Sequence, residues 1–148
     1  MTRFGYVMVT YFAAMGAAVA AFIPTPTRLV WNATASAPVG LYTIAPADRL
    51  EVPELVAVMP PEPLADFLVG RGYVGRGVPL LKRVLGLPGQ QVCRIGRDIM
   101  INGTAVGSAL SRDKMGRDLP VWQGCRTVAD DELFLMNWEV RDSLDGRY

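Results

Sequence analysis

The sequence has no histidine. That excludes Ser-His-Asp and Cys-His catalysis, and it removes the side chain most transition-metal sites rely on. Lysine is nearly absent as well: two lysines stand against thirteen arginines, and one of them, Lys82, is embedded in apolar residues. Net charge is only +1, which gives no electrostatic basis for binding nucleic acid. Two cysteines, Cys93 and Cys125, are too few for a Cys-only zinc site. No metal or other cofactor is called for. Half of the 148 residues are hydrophobic, enough for one compact domain and short of two.

The longest feature is apolar. Residues 4–23 carry no charge, and as a helix this stretch is long enough to cross a hydrocarbon core. Arg3 precedes it, so charge asymmetry places residues 1–3 in the cytoplasm and exports residues 24–148. A cleavable signal peptide is the competing interpretation, since Ala17 to Ala21 offers small-residue cleavage sites; the length of the apolar run favours a retained anchor. Cysteine count alone leaves Cys93 and Cys125 as two thiols or one disulfide. Export to an oxidising compartment favours the disulfide, closing a loop of about 33 residues and adding about 3–4 kcal/mol.

Beyond the anchor, residues 24–38 read as a connector broken by Pro24 and Pro26. Short β-prone runs follow at 40–44, 55–59, 80–87, 91–95, 98–101 and 132–136, with a turn or two of helix at 63–69. Asn102-Gly103 is a hairpin signal. Gly70-x-Gly72-x-x-Gly75 matches the dinucleotide fingerprint by spacing only: Pro79 follows and no βαβ pattern surrounds it. Residues 109–124 are polar and irregular. The expected fold class is mainly β, one β domain preceded by one N-terminal transmembrane helix.

Within the connector, Asn32-Ala-Thr-Ala-Ser-Ala-Pro-Val-Gly40 sets Ser36 among small residues beside a proline and a glycine. Small neighbours allow a substrate backbone close approach, and Pro38 and Gly40 shape a rigid turn. An ordinary surface loop has the same composition. A serine needs a base to act as nucleophile, and without histidine a neutral lysine is a candidate. Desolvation favours the neutral amine, and Lys82 lies between Leu80-Leu81 and Val84-Leu85, whereas arginine cannot deprotonate near neutral pH. The alternative is an edge-strand lysine turned to solvent.

Thr34-Ala35-Ser36-Ala37-Pro38 resembles the nucleophile box of the type I signal peptidases, a family of membrane-anchored Ser-Lys endopeptidases. Leu81-Lys82-Arg83-Val84-Leu85-Gly86-Leu87-Pro88-Gly89 resembles their lysine box, and Ser143-Leu144-Asp145-Gly146-Arg147-Tyr148 their C-terminal box. The boxes stand in the family's order behind an apolar N-terminus, and the resemblance covers nearly the whole chain. Asn-x-Thr-x-Ser-x-Pro-x-Gly-Leu-Tyr, the Pro-Leu-Leu-Lys-Arg opening, the cysteine pair and Gly-Cys-Arg near position 125 resemble the conjugative-transfer (TraF-type) branch. The resemblance implies Ser36 as nucleophile, Lys82 as general base, Ser36 N–H with Thr34 as oxyanion donors, Ser143 orienting the lysine, and Asp145 with Arg147 as a supporting ion pair. In the TraF-type branch an aspartate in this region is also tied to activity.

Three departures stand out. Gly146 replaces a serine, Met136-Asn137-Trp138 replaces Gly-Asp-Asn, and the chain stops at Tyr148 where relatives carry a further strand-forming tail, which implies a truncated C-terminal end. The function implied is processing of exported precursors at a bacterial inner membrane by a periplasmic domain. The substrate would be a conjugative pro-pilin, released by water or cyclised by its own amine, with other conjugation or secretion components as further partners. The rival is a non-catalytic anchored β module that binds pilin or secretion subunits.

Overall fold

The computed structural model describes residues 2–23, 28–47 and 49–148. The expected Pro24–Pro26 break lies outside them. The N-terminal apolar run forms helix α1, Arg3–Ala21, with Thr2 as N-cap accepting from Gly5 N–H. Its most apolar 18-residue window has a mean hydropathy of 1.6, and none of its 19 residues is buried against the rest of the protein. At about 1.5 Å per residue the helix approaches the thickness of a hydrocarbon core. By length and composition it can cross a membrane.

The remainder is mainly β, as the sequence implies. Strands β1 (Leu29–Asn32) and β2 (Gly40–Thr43) form an antiparallel hairpin. Strand β3 (Leu55–Val58) leads to helix α2 (Glu62–Gly70), which starts with Pro63 in its first turn, where the missing N–H is not needed. Strand β4 (Leu80–Gly86) then pairs antiparallel with β3 on one side and β9 (Phe134–Leu135) on the other. Strands β5 (Gln91–Ile95), β6 (Asp98–Ile101), β7 (Thr104–Ser108) and β8 (Gly124–Thr127) make a four-stranded antiparallel sheet in the order β7-β6-β5-β8.

Local chemistry accounts for the turns. Asn102-Gly103 closes β6 onto β7, both residues at positive φ, as a tight hairpin requires. The β5–β6 pair is closed instead by Gly96-Arg97, with Gly96 at φ 62°. Gly70-x-Gly72-x-x-Gly75 lies at the end of α2 in a turn region, and every strand pair among the described residues is antiparallel. Three strands were not expected: β1 inside the supposed connector, β7, and β8. Strand β8 sets Cys125 directly opposite Cys93 of β5, and the two are joined by a disulfide.

The core lies on the four-stranded sheet and beneath β9. Val92, Ile99, Ile101, Val128 and Met136 are buried together, with Leu85, Val106, Trp122 and Phe134 packed against them. Gly86 and Gly146 both abut Phe134. A Cβ at Gly146 would lie 2.6 Å from Phe134 Cε2 and 2.8 Å from the Leu135 carbonyl oxygen. The departure from serine at 146 therefore fits the way this chain packs Phe134 under its C-terminal segment.

Candidate active site

The β1–β2 hairpin carries the serine, at the tip of residues 33–39. Asn32, buried at the end of β1, builds that tip from within. Its Nδ2 donates to the carbonyls of Thr34 (2.9 Å), Ala37 (2.9 Å) and Pro38 (3.1 Å). Its Oδ1 accepts from Thr34 N–H (3.1 Å) and Thr34 Oγ1 (2.8 Å). Carbonyls accept only and N–H donates only, so the amide has one possible orientation.

That orientation determines the hydroxyl directions. Asn32 Oδ1 cannot donate, so the Thr34 hydroxyl hydrogen points at it. The 3.0 Å contact between Thr34 Oγ1 and Ser36 Oγ must then use the Ser36 hydrogen. At rest Ser36 donates to Thr34, and the Thr34 hydrogen, implied as an oxyanion donor, is held by Asn32.

Lys82 lies on β4, the central strand of its sheet, opposite Val56 of β3. It is 6% exposed, not the solvent-facing edge lysine of the alternative. Its Nζ donates to Ser143 Oγ at 2.8 Å, and Ser143 is itself buried. Burial drives the Lys82 pKa below the ordinary lysine value of 10.5; the Asp145 charge opposes this, and Arg147 adds to it. No hydrogen bond joins Ser36 Oγ to Lys82 Nζ among the described residues. The two side chains line the same cavity of about 540 Å³, together with Thr34 and Ser143.

Asp145 and Arg147 meet behind Ser143. Arg147 donates from Nε to Asp145 Oδ1 and from Nη2 to Asp145 Oδ2, each at 2.8 Å. Both side chains are almost wholly buried. The same guanidinium reaches the carbonyls of Val140 (2.8 Å), Ser143 (3.0 Å) and Arg141 (3.1 Å). A bidentate pair with its remaining donors satisfied is the arrangement in which a buried charge pair persists. Arg147 thus gathers the last turn of chain around itself and presents Ser143 to the lysine.

Compared with models of protein families, the chain matches the signal peptidases, peptidase S26, over residues 1–148. It belongs to that family. S26 is a family of serine peptidases, so peptidase chemistry is the activity to expect of the site. The curated proteins and the solved structures that were compared gave no match.

Two site residues went unrecognised in the sequence. Asn32 was visible as the first residue of the serine motif, two positions before Thr34, yet carried no assigned role. Asn137 stood out as a departure from the S26 pattern. It donates from Nδ2 to the carbonyls of Ser36 (2.6 Å) and Leu81 (3.1 Å) and accepts at Oδ1 from Arg83 N–H (2.9 Å).

Proposed function

We propose that this S26 protein is a membrane-anchored Ser-Lys endopeptidase that processes exported precursors, with conjugative pro-pilins as its substrate class. The observation that carries the Ser-Lys part of the proposal is the shared cavity; the substrate class follows the resemblance to the conjugative-transfer branch. A buried lysine amine and a small-residue serine loop face one space, and that amine has a serine hydroxyl as partner while the nearby carboxylate is bound to Arg147.

Ser36 Oγ turns from Thr34 to neutral Lys82 Nζ, gives up its proton and attacks the scissile carbonyl. Ser36 N–H donates to the oxyanion, and Thr34 joins it once its hydrogen leaves Asn32. The lysine then passes the proton to the departing amine, leaving an acyl-enzyme on Ser36. Water resolves it to a linear product, or the substrate's own amine attacks and closes a cyclic one. Ser143 orients the lysine throughout.

Helix α1 is the inner-membrane anchor, with Arg3 on the cytoplasmic side and the catalytic domain in the periplasm. The Cys93–Cys125 disulfide suits that oxidising compartment. The test is to incubate the full chain with a candidate pro-pilin and weigh the products, with Ser36→Ala alongside. A linear product carries one added water; a cyclic one is lighter by that water. Binding of pro-pilin without any Ser36-dependent product would favour the non-catalytic module instead.

A further inference from the structure

Among the described residues, one hydrogen bond ties the β1–β2 hairpin to the rest of the domain. It runs from Asn137 Nδ2 to the carbonyl oxygen of Ser36, across 101 residues of sequence. Every other hydrogen bond of the hairpin stays within it, through the β1–β2 ladder, Asn32, Tyr42 and Ile44 N–H.

The other bonds of Asn137 converge on the lysine. Its side chain holds Leu81 O and Arg83 N–H, the backbone groups on either side of Lys82. Its own N–H donates to Asp145 Oδ2 at 3.0 Å, and its carbonyl accepts from Arg147 Nη2. Donor and acceptor ends cannot be exchanged, because Ser36 O and Leu81 O only accept and Arg83 N–H only donates. Asn137 is 4% exposed, and its bond to Leu81 O is buried.

We infer that Asn137 is a positioning residue of the peptidase reaction: its amide sets the nucleophile loop in register with the lysine strand. This inference rests on the Ser36–Lys82 assignment. Ser36 Oγ and Lys82 Nζ are not bonded at rest, so the proton transfer depends on how far apart their backbones are held. One amide group bonded to Ser36 O, Leu81 O and Arg83 N fixes that separation. A carboxylate at this position has the same shape but no donor, and it would set oxygen against the two carbonyls that the amide now joins.

The test uses the full chain in detergent and an internally quenched peptide carrying an Ala-x-Ala segment. Variants Asn137→Ala and Asn137→Asp are compared with wild type for kcat and KM, per folded molecule as judged by melting. Asn137→Ala should lower kcat by about 10- to 100-fold with KM within about threefold, the signature of misplaced catalytic groups. Asn137→Asp, the closer match in shape, should lose at least as much at neutral pH. A merely space-filling residue would give the opposite order.

Should both variants lose the folded state, Asn137→Ser, which keeps a single donor, takes their place with the same kcat expectation. An aspartate variant above half the wild-type kcat, or losses confined to KM, would overturn the inference. Ser36→Ala and Lys82→Met are run in parallel. If they stay active, the dyad assignment has failed; if they are dead while the Asn137 variants turn over normally, only the positioning role has failed.

Discussion

The two walls of the cleft are built in different ways. The lysine wall is woven into the domain: β4 lies between two strands, and Arg147 and Asp145 lock the C-terminal segment behind Ser143. The serine wall is a two-stranded hairpin whose bonds are nearly all internal, joined to the domain by Asn137 and by the burial of Val30 and Ala37. One wall is preassembled and bears on stability. The other is held by fewer bonds, and in the proposed mechanism it carries the group that changes hydrogen-bond partner. Disturbing the lysine wall should therefore cost folding free energy, whereas disturbing the serine wall should cost turnover with little loss of stability.

The largest stability effect falls on the lysine wall. Arg147→Ala leaves the Asp145 carboxylate buried without its partner and should destabilise the protein by about 3–5 kcal/mol, read from denaturant unfolding. A loss below about 1 kcal/mol would mean that the pair does not hold this wall. Next is the disulfide. Replacing both Cys93 and Cys125 with serine should remove about 3–4 kcal/mol, while turnover per folded molecule stays at the wild-type level, since neither residue lines the Ser36–Lys82 cavity.

Gly146→Ser is smaller. Its Cβ would press on the Phe134 ring and the Leu135 carbonyl, and about 1–3 kcal/mol should be lost, visible as a lower melting temperature. The smallest effect belongs to the serine wall. A preformed oxyanion donor contributes about 10²–10³ in kcat, but the Thr34 hydrogen must first leave Asn32, so Thr34→Val should cost only about tenfold. Its melting temperature should hardly move. A drop in stability without a drop in kcat would reverse the contrast between the walls.

How legible each wall was in the sequence follows the same division. Lys82 could be recognised because a cation inside an apolar strand conflicts with its surroundings, and such conflicts mark sites. The β5–β6 pairing and the 102–103 turn rest on local patterns, which a sequence carries directly. Strand β1 was hidden because Pro24, Pro26 and Pro38 make its flanks read as a connector, and four residues are too few to show alternation. Strand β8 was hidden because all four of its residues are exposed, leaving no alternating apolar signal. The role of Asn137 could not be read: its partners are Ser36, Leu81 and Arg83, and only the folded chain brings them together. The state of the Thr34 hydroxyl is likewise a property of geometry, set by which atom of Asn32 faces it.

The most direct measurement is the pH dependence of turnover by wild type and Lys82→Arg from about pH 6 to 10 on the same quenched peptide. Only a neutral amine can take the Ser36 proton. Burial lowers the Lys82 pKa from 10.5, so wild-type activity should rise with pH and level off below that value. The same shift makes folding stability rise with pH between the lowered pKa and 10.5, because the unfolded chain holds the proton more tightly. Lys82→Arg keeps the charge and cannot deprotonate, so it should be inactive throughout. Substantial turnover by the arginine variant, or a wild-type profile without the alkaline rise, would contradict the assignment of Lys82 as the base.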